Sequence, residues 1–147
     1  MEKRINIQTL EPQAFNAMLG LEGYLSKVAI SKTIKELIKI RSSQINNCAF
    51  CINMHTKDAL ANGETQQRIF LLSAWREAPN LYTLQEQVVL EMTEEITLIH
   101  HQGLSTETYQ KALKHFTENE IAQLIMIIVT INGWNRIALS THLPVED

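Results

Sequence analysis

The chain has 147 residues, with 13 Lys and Arg against 16 Asp and Glu and a formal net charge of −3. At that length a single domain over residues 1–147 buries a core without disulfide staples, and 45% apolar with 20% charged residues is a globular composition rather than a disordered one. The mild acidity and the lack of a basic block argue against nucleic acid or an anionic membrane as a partner. Five Gly and three Pro are too few for a turn-dense β-sandwich.

The N-terminal stretch from Met1 to Asn6 is charged and no apolar signal-peptide core follows it, so the expected location is cytoplasmic. Glu11-Pro12 opens a first helix, expected to run to about Ala29, because Pro is tolerated at a helix start. Ser31 caps a second, to about Asn46, with Ile34, Leu37, Ile38 and Ile45 along one stripe. Arg41 falls inside that stripe, either to pair with a carboxylate or, more commonly, to extend outward. A third helix starts near Asn47 and stops at Asn62-Gly63, a C-terminal signal. Residues 65–77 read as a fourth helix, which Pro79 ends.

Thr83 with Glu86 has the capping-box form and starts a long helix to about His101, with Gly103 as the stop. Its carboxylates Glu86, Glu91, Glu94 and Glu95 read as an exposed face, and His100-His101 as dipole-capping residues at its end. Ser105 caps a short helix to Phe116. Thr117 with Glu120 forms a second capping box and launches the last helix, towards Ser140. Its apolar run from Ile121 to Ile131 is too short to span a bilayer, so it is either a central core helix or part of a subunit contact. Nowhere does a run alternate with period two, so the expected fold is all-α, a bundle of about six to seven helices.

Two cysteines carry the functional signal. In Asn46-Asn47-Cys48-Ala49-Phe50-Cys51-Ile52-Asn53-Met54-His55, a helix places Cys48, Cys51, Ile52, His55 and Ala59 within about 100° of arc. Both thiols and the imidazole then share one face, with Cys51 and His55 one turn apart and able to exchange a proton. Asn46-Asn47 are expected to cap the helix, putting both cysteines in its first turn, where unpaired N–H groups favour thiolates. In a cytosolic protein such a pair is more often redox-active or metal-bound than structural. A sulfenic acid formed on one cysteine condenses with the other. A c-type haem site needs His directly after the second Cys, where Ile52 stands, and a thioredoxin-like site needs a βαβ context that is missing. A zinc-stabilised structural protein stays open, with Cys48, Cys51 and His55 as ligands and a fourth from Glu36, His100, His101, His115 or His142. So does a pair of inert buried cysteines.

Glu36, twelve positions before Cys48, completes E-x11-C-x2-C-x3-H. Together with Ala59, Asn62-Gly63, the segment Ala74 to Pro79, the Thr83–Ile99 helix and Asn132, Trp134, Asn135 and Arg136, this pattern resembles the alkylhydroperoxidase D-like branch of the carboxymuconolactone decarboxylase family. The likeness is good over residues 36–100 and looser on the flanks. It implies an all-α, homo-oligomeric protein (a trimer or hexamer) in which Cys51 attacks a hydroperoxide and Cys48 resolves the sulfenic acid to a disulfide. It gives His55 the activation of Cys51 and Glu36 a proton-relay role. It also implies an external dithiol reductant, such as a lipoyl or thioredoxin-like carrier protein, and no metal or organic cofactor. Some relatives carry a histidine directly before the second cysteine; here that residue is Phe50, which leaves His55 and Glu36 to manage the protons. The same dithiol would also serve disulfide exchange or redox sensing with little peroxidase activity.

By helical angle alone Glu36 points about 200° from Ile34, to the side where glutamates are usually solvated. Ile40, Ser43 and Asn47 lie within about 40° of it, so that side is mixed and packing of the helix on both faces stays open. Asp58 is placed to orient His55 or simply to face water. Phe50, Trp75 and Trp134 read as packing residues, with Phe50 also able to shape a pocket mouth.

Overall fold

The computed structural model describes residues 2 and 4–145; Met1 and Lys3 of the charged N-terminus lie outside the described residues, as do Glu146 and Asp147. Eight α-helices follow one another: α1 Ile7–Leu10, α2 Pro12–Leu25, α3 Lys32–Ile45, α4 Ala49–Ala61, α5 Gln66–Leu71, α6 Leu84–Thr97, α7 Thr106–Ala112 and α8 Glu118–Thr141. Two 3₁₀ segments, Leu72–Glu77 and Pro79–Leu81, join α5 to α6. The described residues contain no strand. The caps of α3, α6 and α8 are those the sequence signals: Ser31 accepts from the Ile34 amide, and Thr83/Glu86 and Thr117/Glu120 close full capping boxes.

α3 is the hub, packed on α4, α6 and α8, while α8 also meets α2, α4 and α6. One core cluster joins these elements through Ile38, Val89, Met92, Leu124, Ile128 and Ile131. A second gathers Leu37, Ile40, Ala59, Leu72, Trp75 and Leu90 on the other side of α3. Each such side chain contributes about 1.5–3 kcal/mol by leaving water. α3 therefore packs on both faces, so Glu36 is not on a solvated side. α8 is a central core helix through Ile121, Leu124, Ile127, Ile128 and Ile131, and it leaves Val129 and Leu139 exposed on its other side. By length and composition it would also cross a membrane, but half of its most apolar window is buried inside the bundle.

Several helix ends differ from expectation. α2 stops at Leu25, not Ala29, because Lys35 reaches across from α3 to donate to the Leu25 and Val28 carbonyls at 2.7 and 3.3 Å. The 65–77 helix tightens to 3₁₀ after Leu71, with Ala74 at φ −118° and ψ 28°, and this brings Trp75 into the core with its indole N–H on Glu94 at 3.0 Å. α6 ends at Thr97, so His100 and His101 sit in an exposed turn, ring centroids 4.2 Å apart, rather than on the helix end. α7 ends at Ala112, four residues short of Phe116.

The carboxylates of α6 are not an exposed face either. Glu86 is buried, pairing with Arg68 at 2.6 Å while closing its capping box. Glu94 accepts from Arg41, Trp75 and Arg76, so Arg41 takes the pairing course rather than the outward one. Glu95 accepts from the Ser105 amide and the hydroxyls of Ser105 and Thr108, tying α7 to α6. Glu91 pairs with Lys111 at 3.2 Å.

Candidate active site

The site begins where α3 hands over to α4. Asn47 adopts the left-handed conformation, φ 56°, and closes a Schellman turn: the Cys48 N–H donates to the Ser43 carbonyl at 2.9 Å and the Asn47 N–H to Gln44 at 3.2 Å. Asn46 and Asn47 thus end α3 rather than cap α4. The N-cap of α4 is Cys48 itself, whose sulfur accepts from the Cys51 N–H at 3.4 Å. This N-cap position distinguishes the two cysteines: the first-turn amide favours negative charge on Cys48, while His55 lies one turn behind Cys51.

The Asn46 side chain has a different task. Its amide donates to the oxygens of Asn132 and Asn135 on α8, at 2.9 and 2.8 Å. Asn135 donates to Ser43, Asn132 to Thr97, and Thr97 to Ser42. All but Asn46 are buried, and in so dry a place a satisfied polar network holds one geometry. It ties the junction before Cys48 to α6 and α8.

Cys48 and Cys51 are joined, sulfurs 2.18 Å and Cα atoms 5.3 Å apart, and the pair packs against Ala138 of α8. Both are nearly sealed, 1% and 2% exposed. His55 follows on the same buried face of α4, as the helical arc predicts. Its Nδ1 lies 3.1 Å from an oxygen of Glu36 across the α3–α4 contact and 3.9 Å from Asp58, so Glu36 is its closer carboxylate and Asp58 stays 57% exposed. Burial works against the charge on Glu36, but the His55 hydrogen bond and the Lys39 ammonium, at 3.6 Å, outweigh it and hold the carboxyl below the ordinary range. An ionised Glu36 favours the proton on Nδ1, which makes Nε2 the acceptor nitrogen of the ring.

Of the sequence-derived candidates, the structure therefore brings together Cys48 with Cys51 and His55 with Glu36. Glu36, His55 and Asp58 also have ligand atoms within 4.8 Å of one another, a group that includes neither cysteine. His115 stays outside these clusters, and His142 ends α8 in the left-handed conformation with its Nδ1 3.0 Å from the Glu2 carbonyl.

A groove of about 410 Å³ reaches Cys48 between α4 and the end of α8, lined among others by Phe50, Ala138, Leu139, His142 and Leu143. Phe50 packs against the cluster of Cys48, Cys51 and Ala138 and also forms part of the groove wall, so it fills both the packing and the mouth-shaping roles. Sequence reasoning named His142 as a possible zinc ligand but not as part of this wall, and it missed Lys39 beside Glu36. The left-handed His142 carries no Gly or Asn signal, and Lys39 looks like any helix-surface lysine.

An all-α bundle with a vicinal cysteine pair at a helix start, backed by a histidine–glutamate couple, defines a class of thiol redox proteins. The chain matches the carboxymuconolactone decarboxylase family over residues 12–95 and belongs to it, in the alkylhydroperoxidase D-like branch. It is 42% identical over 140 residues to the uncharacterized protein YdfG of Bacillus subtilis (strain 168), covering 95% of each. The crystal structure of ATU0492 from Agrobacterium tumefaciens, a protein of unknown function and candidate AhpD antioxidant defence protein, superposes with a TM-score of 0.95 at 36% identity over 99% of both chains. An uncharacterized peroxidase-related protein from Silicibacter sp. TM1040 shares the fold at TM-score 0.81 and 20% identity, with 92% of this chain and 72% of that one covered.

Proposed function

We propose that this protein is a thiol-dependent peroxidase that reduces hydroperoxides through Cys51 and Cys48. The observation that carries this reading is the bonded cysteine pair backed by His55, with Glu36 at 3.1 Å from its ring. The Cys51 thiol gives its proton to His55 and the thiolate attacks the terminal peroxide oxygen. An S–O bond forms, the O–O bond breaks, and the leaving alkoxide takes the proton back as an alcohol. Cys48, whose thiolate the Cys51 amide favours, then attacks the sulfenic sulfur; the disulfide forms and water leaves. The sum is two thiols and one hydroperoxide converted to a disulfide, an alcohol and water. An external dithiol, on a lipoyl or thioredoxin-like carrier, attacks the disulfide from the groove that reaches Cys48. Glu36 orients His55 and steadies its charged form. The chemistry needs no metal or organic cofactor. A cytoplasmic, homo-oligomeric protein (trimer or hexamer) completes the reading; the exposed apolar side chains Val129 and Leu139 on α8 and Phe70 on α5 support self-association alone.

The test is stopped-flow oxidation of the reduced protein by several alkyl hydroperoxides across pH. Two thiols lost per peroxide, and a rate well above that of a free thiol, are expected. Cys51→Ser should remove the reaction; a Cys51→Ser protein as fast as the unmodified one overturns the nucleophile assignment. A second reading, disulfide exchange or redox sensing, is favoured by the sealed sulfurs and by the groove meeting Cys48. A peroxide rate no better than free thiol with rapid dithiol exchange selects it. Bound zinc in stoichiometric amount that survives dialysis would instead indicate a zinc-stabilised structural protein.

A further inference from the structure

The His55–Glu36 couple does not end at Glu36. The other Glu36 oxygen lies 3.6 Å from Lys39 Nζ, and Lys39 lies 3.8 Å from Glu22 on α2. The second Glu22 oxygen accepts from the Trp134 indole N–H of α8 at 3.0 Å. Trp134 is itself held edge-on by Phe15, with ring centroids 5.4 Å apart. A chain of polar contacts thus runs from α8 through α2 and α3 to the imidazole on α4. Lys39 is its middle member and only 16% of its side chain is exposed. A lysine drawn inward between two carboxylates has given up most of its hydration, which an ordinary surface lysine keeps. Solvent meets it in a cavity of about 130 Å³ bounded by Glu22, Leu25, Ser26, Lys35, Lys39 and Ile127, separate from the groove at Cys48.

We propose that Lys39 is a positioning residue, anchored by Glu22, that keeps the Glu36 carboxylate aimed at Nδ1 of His55. The inference rests on the thiol relay described above and extends it by one residue that touches neither sulfur nor substrate. The charged groups around Glu36 are Lys35 and Lys39 on its own helix, Glu22 from α2, His55 and Asp58 from α4, and Glu64, which lines a small cavity with it after α4. Of the two lysines, Lys39 is the one that makes an ion pair with Glu36. Lys35 spends its ammonium on the carbonyls of Leu25 and Val28. Without Lys39, burial opposes the Glu36 charge with the His55 hydrogen bond and the more distant Lys35 charge left to offset it. The couple then binds its proton more tightly, and the shift is upward whichever of the two groups holds it.

The readout is the reactivity of the reduced protein toward iodoacetamide from pH 5 to 9, which reports the relay without any peroxide. In Lys39→Met the inflection moves to higher pH, and alkylation at pH 6 falls about tenfold, as expected for loss of an opposite charge within 4 Å. Lys39→Arg restores most of the reactivity, and Glu22→Gln falls by a smaller factor, about threefold. A Lys39→Met profile that superimposes on the wild type overturns the proposal. So do equal losses in Lys39→Met and Lys39→Arg, which would mark a packing role. ¹⁵N shifts of His55 in the unsubstituted, oxidised protein supply a measurement that no misfolded variant affects. Nδ1-protonated imidazole is expected at neutral pH, and the Nε2-protonated tautomer overturns the proposal. If the unsubstituted protein fails to consume peroxide while Lys39→Met still shifts alkylation, the peroxidase reading falls and the role of Lys39 stands. Peroxide turnover with an unshifted Lys39→Met profile removes the role of Lys39 alone.

Discussion

Glu36 and Glu94 are equally shielded carboxylates, each with 13% of its side chain exposed, and both are held ionised against burial. Their partners differ in kind. Glu94 takes hydrogen bonds from Arg41, Trp75 and Arg76, donors that keep their protons at any physiological pH. Glu36 faces His55, whose residue type gains and loses a proton near neutrality, and a single lysine. Burial and charge alone would rank the two alike. The chemistry of the partner, imidazole against guanidinium and indole, separates a carboxylate that fastens α3 and the 3₁₀ segment to α6 from one suited to proton traffic.

The largest expected effect breaks this comparison on the stability side. Glu94→Ala leaves the Arg41 guanidinium and the Trp75 indole without their acceptor and should cost about 3–5 kcal/mol in urea denaturation, because a half-buried charge loses its partner. The thiol oxidation rate per folded molecule should stay as it was; a hundredfold fall would mean that Glu94 is not merely structural. Glu36→Gln should shift the balance the other way: peroxide-driven oxidation in stopped flow slows by roughly 10²-fold, the scale of general acid–base assistance, while the urea midpoint falls less than in Glu94→Ala. Should the two variants behave alike in both assays, the distinction by partner is wrong.

Asn135→Ala sharpens the comparison by loosening the junction before Cys48 without touching either carboxylate. It strands the Ser43 hydroxyl and one Asn46 donor and should cost about 1–3 kcal/mol, measured by thermal unfolding. The smallest effect is in pH. Both carboxyls lie below their ordinary values in the fold, so each contributes stability that is fully present above the unfolded carboxylate range and is lost as pH falls through the folded value. Unfolding free energy should therefore hold from neutrality to about pH 5 and decline below about pH 4. In Glu94→Gln the decline should be shallower, a difference that acid titration of the circular dichroism signal measures.

Most of the helix starts were legible in the sequence because their signals are local. Ser31, Thr83, Ser105 and Thr117 each satisfy an amide three residues on, and no distant partner is needed. The cysteine pair and His55 were legible for the same reason, since i, i+3 and i+4 spacing decides which side chains share a face. Glu36 was legible only through its twelve-residue distance from Cys48, a pattern known from a family; the helical angle by itself pointed it to water. Its burial depends on α3 packing on two sides, which Ile40 and Ser43 beside it allowed but only the second core cluster decided. Asn46-Asn47 were misplaced because asparagine serves both ends of a helix, and only the long-range contacts of Asn46 with Asn132 and Asn135 decide between them. The carboxylates of α6 were misread because Arg41, Arg68 and Arg76, which neutralise them, are 18 to 53 residues away in the chain.

The sequence by itself thus determined an all-α chain with two thiols and an imidazole on one helical face. Tertiary structure decided what surrounds that face: Glu36 on the ring, Lys39 and Glu22 behind it, and a groove that reaches one sulfur. The division has one physical cause. Backbone geometry makes neighbours three and four apart meet wherever a helix forms, whereas the partner of a buried charge comes from whichever helix packs against it.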